Sequence, residues 1–245
     1  MRFPWFGQVR GAVVLLMLAV SAIGAQGSGF GGARPFHALV LSTGATMVSV
    51  DPLNCVLTSA RFAGLSNDGI SYGVSGYYAV GRALLGADVS RVTYGEEGLS
   101  NGRSDDLNAT EYLVTASYAF VSTGRLTLFP ALGVGTGAFD VTLRDRAAGV
   151  AGSATELTFD ALVQNPGAET IVSGKHLLYS LGGGADYLIT RGAPDHVGVV
   201  FGVRAGVLVA PNRTTWSSRG RMVVAGPDAA AGGPFVRVIV GRGGR

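Results

Sequence analysis

Gly69-Ile70-Ser71-Tyr72-Gly73 has the G-x-S-x-G form of a serine nucleophile elbow. That elbow needs a strand turning sharply into a helix within an α/β sheet. Here the pentapeptide opens a strand-like run with no helix behind it, so Ser71 is expected to be an ordinary strand residue. Gly133-Val134-Gly135-Thr136-Gly137-Ala138 fits the loose dinucleotide fingerprint G-x-G-x-x-A, whose phosphate site is the N-terminus of a following helix. Phe139-Asp140-Val141-Thr142-Leu143 continues in strand alternation instead, and the fingerprint is rejected. His176 with Ser173 comes nearest to a base and nucleophile, without a convincing convergent set. His37, His176 and His196 are too scattered to ligate a metal. Cys55 is the single cysteine; it cannot form an internal disulfide and reads as a buried or loop thiol. Asp105 and Asp106 with Glu96 and Glu97 read as a solvated acidic loop. Asn108-Ala109-Thr110 and Asn212-Arg213-Thr214 match glycosylation sequons by pattern alone. The expectation is a protein that is not an enzyme and carries no cofactor and no metal.

The elements that could position such residues follow from composition. The chain has 245 residues, 47% hydrophobic, only 14% charged, with 39 glycines. A soluble domain carries about 25% charged residues and about 7% glycine. Low charge argues against disorder, and glycine without a three-residue period excludes collagen. One unbroken apolar run exists, at the N-terminus. Residues 1–25 read as a cleaved secretory signal peptide: Arg2 and Arg10, an apolar stretch from Gly11 to Ile23, and a small-residue exit ending at Ala25. Its removal would leave 17 basic against 16 acidic residues, nearly neutral, so nucleic acid is not an expected partner. Residues 26–35 form a short lead, and 36–245 a single domain.

Within that domain eight stretches have strand character: Phe36–Val50, Gly69–Val80, Ala83–Tyr94, Ala109–Val121, Leu126–Arg144, Ile171–Thr190, Val197–Ala210 and Gly233–Gly241. Their connections alternate long and short. Three short turns (Gly81-Arg82, Ser122–Arg125, Arg191–His196) separate four longer loops, the first with some helical character. This is the rhythm of an all-β, eight-stranded antiparallel up-and-down transmembrane β-barrel. Alternation supports it, because successive strand residues point to opposite faces. Val197, Val199, Phe201, Val203, Ala205, Val207 and Val209 fall on one face, and Gly198, Gly202, Arg204 and Gly206 on the other. Tyr112, Val114, Ala116, Tyr118 and Phe120 oppose Thr115 and Ser117. Leu177, Tyr179, Leu181, Tyr187 and Ile189 oppose His176, Ser180, Gly182, Gly184 and Asp186. Glycines gather on the inward face, where eight strands leave just enough room for side chains. Tyr78, Tyr94, Tyr112, Tyr118, Phe120 and Tyr187 read as interfacial girdles. Asp88, Asp186, Arg204 and Arg237 fall inward and are expected to form a lumen charge network, with Asp186 and Arg204 the favoured pair. A charge introduced at lipid-facing Val203 is expected to impair insertion more than one at inward Gly135.

The signal peptide, the eight alternating segments and the final strand together resemble the small bacterial outer-membrane β-barrels of the OmpA-like and OmpX-like kind. Gly233-Pro234-Phe235-Val236-Arg237-Val238 is similar to the terminal assembly signal of that family, and the resemblance makes Gly233, Val236 and Val238 the positions read during insertion. The family usually ends on an aromatic residue, whereas this chain runs on through Gly241-Arg242-Gly243-Gly244-Arg245. The resemblance implies Sec-dependent export and outer-membrane residence. Its implied partners are outer-membrane lipid, periplasmic chaperones and the barrel-assembly machinery. A non-enzymatic structural or surface-interaction role through the outer loops is the leading expectation. A small channel or passage for small or hydrophobic solutes comes second, and a secreted lipocalin-like ligand-binding barrel third.

Overall fold

The computed structural model describes residues 36–98, 102–123, 125–146, 158–190, 197–211, 213–229 and 232–244. The expected signal peptide and lead, His196, Asn212 and the Arg191–His196 turn lie outside them, as do the side chains of Glu96 and Glu97. The strands are β1 (Phe36–Met47), β2 (Asp68–Val80), β3 (Ala83–Gly98), β4 (Arg103–Tyr118), β5 (Val121–Ser122), β6 (Leu126–Asp145), β7 (Glu169–Ile189), β8 (Gly198–Val209), β9 (Thr215–Ser218), β10 (Arg221–Val223) and β11 (Pro234–Gly244); two helices, α1 (Asp51–Ser59) and α2 (Phe159–Gln164), join them.

Eight of the strands close an antiparallel ring in the order β1-β2-β3-β4-β6-β7-β8-β11, with β11 paired back to β1. The stagger of that ring can be walked. From Phe36 the paired residues run Ala79, Leu84, Ser117, Ala131, Gly182, Gly206, Phe235, and return to β1 at Thr46, ten residues further along. Such a stagger over eight strands belongs with a tilt of roughly 35–45°. Closure matters because a barrel leaves no unpaired peptide edge facing hydrocarbon.

Around the ring runs a band of exposed apolar side chains. Val199, Phe201, Val203, Val207 and Val209 on β8 alternate with Val200, Gly202, Arg204, Gly206 and Leu208 inside. Leu39 and Leu41, Leu85, Val114, Leu132 and Val134, Leu181, and Val236, Val238 and Val240 continue the band on other strands. Tyr78, Tyr118 and Tyr187 mark its edge at the end bearing the short turns, and Tyr72, Tyr112 and Tyr179 its edge at the other, the cap end. Tyr94 is no girdle residue: it points inward and is fully buried. Its parity, shared with Val92, decides this.

Beyond the band at the cap end the alternation changes sign on four of the ring strands, whereas on β1 and β2 the exposed outward residues Met47 and Ile70 remain apolar. On β3 the outward residues become Arg91 and Thr93 while Val92 turns in; on β4, Asp106, Asn108 and Thr110 face out over Leu107 and Ala109; on β6, Asp140 and Arg144 lie on the face opposite Phe139, Val141 and Leu143; on β7, Lys175 and Ser173 oppose Val172. Strands in hydrocarbon turn apolar residues out, and strands in water turn them in. The wall thus leaves one solvent for another while its ladders continue.

This inversion corrects several expectations. The segment Gly95–Asn108 is mostly strand, since β3 runs to Gly98 with a bulge between Tyr94 and Glu97, and β4 starts at Arg103. Its polarity reflects strand above the band, which composition cannot tell from loop. Asp105 is accordingly buried and inward, not part of a solvated loop. Pro211–Gly232 contains the β9–β10 hairpin, with β9 paired to β7 over Val172–Lys175. The last strand continues to Gly244, where Gly241 and Gly243 allow close approach: a Cβ at Gly241 would lie 2.1 Å from the Leu39 carbonyl oxygen.

The loops fold into a cap with its own core. In α1, Pro52 opens the first turn and Leu53 and Leu57, one turn apart, are fully buried. Asn54 pins the returning chain, its Nδ2 donating to Leu65 O (2.9 Å) and its Oδ1 accepting from Leu65 N (2.7 Å). Thr158 caps α2 through Ala161 N, and Phe159, Leu162 and Val163 face the core. Trp216 fills the centre, its ring edge-on to Phe139 and Phe159 at 5.0 and 4.8 Å and its Nε1 donating to Pro227 O. Cys55 is exposed on α1 rather than buried or in a loop.

Candidate functional site: a sealed polar lumen under a latched cap

Each inward position of the barrel belongs to one of three layers. At the turn end Ala38, Val40, Tyr77, Ala79, Leu84, Phe129, Leu188, Val200 and Ile239 form an apolar plug made of wall side chains. At the cap end the cap core forms a second plug. Between them lie the charges, with Leu113, Leu178 and Leu208 packed on one wall and a cavity of about 100 Å³.

All four charged positions singled out from the sequence face this middle layer. Arg204 forms a bidentate pair with Asp186: Nη1 donates to Oδ1, and Nη2 to Oδ2 at 2.8 Å. Tyr77 donates its hydroxyl to the same Oδ2 at 2.7 Å, and Arg204 lies over the Phe129 ring at 4.6 Å. Arg237 reaches from β11 across to β3 and β4, with Nη1 3.2 Å from Asp88 Oδ1 and Nη2 2.6 Å from Glu111 Oε2. Ser75 donates to Asp88, and Ser90 donates to Glu111 Oε2 at 2.8 Å. The layer thus consists of two clusters, one on Arg204 and one on Arg237.

Glu111 and Tyr77 are members that sequence reasoning did not name. Glu111 shares the parity of Thr115 and Ser117 on β4, so its inward direction was readable there. Tyr77 and Tyr78 are adjacent tyrosines of which one must face in, and only the register of β2 against β1 and β3 decides which.

His176 and Ser173 do not converge. Ser173 faces out and donates to Asp140 at 2.5 Å, whereas His176 is buried inward beside Phe139, centroids 5.5 Å apart. Ser71 lies mid-strand in β2 and is fully buried. Of the assembly-signal positions, Val236 and Val238 face outward on β11, and a Cβ at Gly233 would meet the Met47 carbonyl oxygen at 2.4 Å. No group of three or more His, Cys, Asp or Glu suited to a metal exists among the described residues.

Arg103 at the foot of the cap ties its parts together. Its Nε donates to Asp145 at 2.9 Å, Nη1 to Ala60 O at the end of α1 and Nη2 to Gln164 O at the end of α2 (3.4 Å), and its guanidinium lies 5.3 Å from the Phe62 ring centre. Hydrogen bonds to a charged group contribute about 1.5–3 kcal/mol each. Arg103→Ala is therefore expected to loosen the cap by about 2–4 kcal/mol while the barrel stays closed. Faster amide exchange confined to the two helices, with unchanged exchange in the band, would be the outcome; uniform change would refute the latch.

No protein-family model matches the chain, and no curated protein does. Among solved structures it is similar to Neisserial surface protein A (13% identity, TM-score 0.38, covering 85% of this chain and 93% of that one). It is similar also to a major outer membrane protein from Thermus thermophilus (12%, TM-score 0.43, 85% and 98%). A third is the translocator domain of the autotransporter NalP from Neisseria meningitidis (12%, TM-score 0.35, 96% and 97%). The closed eight-stranded ring rests on this chain's own strand registers.

Proposed function

We propose that the protein is an integral, non-enzymatic barrel of a bacterial outer membrane that holds a folded cap at the cell surface for contact with other molecules. The observation that carries this reading is the exposed apolar band with its sign change at the cap end. A closed ring whose valines, leucines and tyrosines face outward has no partner in water for them. The inversion then marks where lipid ends and a water-exposed structure begins. The two apolar plugs, one of them made of wall side chains that no loop movement displaces, favour a surface role over a solute passage. Export by the Sec route, and delivery by chaperones to the assembly machinery with Gly233, Val236 and Val238 as the recognised positions, belong to the same proposal.

Cys55 allows a direct test of orientation, because it is the single cysteine and is exposed on α1 in the cap. A membrane-impermeant maleimide added to intact cells should label it as fully as in lysed cells. Labelling only after lysis would place the cap in the periplasm and overturn the surface reading.

A further inference from the structure

At the turn end the outward charge of the described residues has one sign. Arg82 in the β2–β3 turn, Arg125 in the turn before β6 and Arg242 on β11 are all exposed, and among the described residues no carboxylate pairs with any of them. Asp186, the carboxylate at this end among those residues, faces inward and is taken up by Arg204 and Tyr77. The cap-side rim is mixed instead: Arg144 pairs with Glu169 at 3.3 Å, and Asp106 and Asp140 share that outward face.

Strand register sets each of the three arginines against the edge of the band. Arg82 precedes Ala83, which pairs with the girdle residue Tyr118, and its carbonyl accepts from Ala119 N at 2.7 Å. Arg125 precedes Leu126, which pairs with Tyr187, and its carbonyl accepts from Leu188 N at 2.8 Å. Both turns are thus fastened beside tyrosines. Arg242 lies in the edge of the band itself, on the outward face of β11 two residues before its end. Its two ladder partners, Leu39 and Val199, are 59% and 43% exposed. An arginine so placed lays its stem along apolar surface and carries its guanidinium out to the headgroup level.

We infer that this rim binds the phosphates of anionic phospholipids in the leaflet at the turn end. The inference rests on the lipid-facing reading of the band and names the lipid. A guanidinium grips a phosphate through two N–H groups at once. A zwitterionic headgroup offers the same phosphate but brings its own cation. No outward carboxylate of the described residues receives that cation, so the rim favours headgroups of net negative charge. Arg242 decides between lipid and a soluble acidic partner, because Leu39 and Val199 hold its stem at the hydrocarbon boundary. The arginines are spread from β11 through the β2–β3 turn to the foot of β6, and together they fix the depth of the barrel in the leaflet.

The full chain, refolded into phosphatidylcholine vesicles, is probed by electron spin resonance with spin-labelled phosphatidylglycerol or phosphatidylcholine. The barrel should immobilise the anionic probe up to about fivefold more strongly, the ratio for about 1 kcal/mol per basic group at an anionic surface. Arg82→Gln, Arg125→Gln and Arg242→Gln combined should bring that ratio close to one, whereas Arg91→Gln on the cap-side rim should leave it unchanged. No preference in the unaltered protein would overturn the inference. So would a preference that survives the triple variant, which would leave the rim to a soluble acidic partner, or one lost equally with Arg91→Gln. If the triple variant does not refold, Arg242→Gln alone decides: it should lower the ratio, and an unchanged ratio overturns the inference. An inserted barrel without lipid preference would sink this inference alone. A chain that does not insert into phosphatidylcholine at all would sink the lipid-facing band with it.

Discussion

Arg237→Met should destabilise the barrel by about 3–5 kcal/mol, the usual cost of leaving buried charges unpaired. Two carboxylates lose their partner at once: Asp88 and the fully buried Glu111 both bond to this guanidinium. Methionine keeps most of the apolar volume, so the loss is electrostatic rather than a cavity. The midpoint of urea unfolding in detergent, followed by the shift between compact and unfolded bands on a gel, reads the effect. Most of the loss should return when Arg237→Met is combined with Asp88→Asn and Glu111→Gln, since no stranded charge then remains. A triple variant as weak as the single one would show that Arg237 acts by packing, through its 5.0 Å contact with the Phe235 ring, and not as a counter-charge.

Val203→Arg should cost about 2–4 kcal/mol, the penalty for a midplane arginine on the lipid face. Val203 stands at the centre of the outward run from Val199 to Val207 on β8. Gly135, the comparator the sequence suggests, is unsuitable: a Cβ there would lie 1.8 Å from the Tyr112 carbonyl oxygen, so any side chain disrupts β4 and β6. Thr93→Arg is the better control. It lies on the outward face of β3 past Arg91, at the rim of the band, where the same charge costs about 0–1 kcal/mol. Equal yields of folded protein after refolding into vesicles would mean that the band does not face lipid.

The ring was legible because its signal is redundant. Eight segments each repeat the same two-residue period, and an error in one is outvoted by its neighbours. The inward charges were legible for the same reason: parity along β7, β8 and β11 fixes the direction of Asp186, Arg204 and Arg237. What parity cannot supply is which inward groups meet. That depends on the ten-residue stagger, which carries Arg237 from the last strand to Asp88 and Glu111 on the third and fourth. The cap was read as loops because a polar residue looks alike in a loop and on the wet face of a strand. Asp106, Asn108 and Thr110 were legible as an inverted alternation with Leu107 and Ala109, but only to a reading that lets the apolar face change sides within one strand. Tyr94 was misplaced for the same reason, lying past the point of inversion on β3.

Among the described residues three strands, β4, β6 and β7, cross from the apolar band into the cap with no break in their pairing. A thicker or thinner bilayer that tilts the staves must rotate the helices seated on their upper ends. On the reading of the band as lipid-facing, the tilt of these strands and the set of the cap are one geometry, because the same ladders run through both.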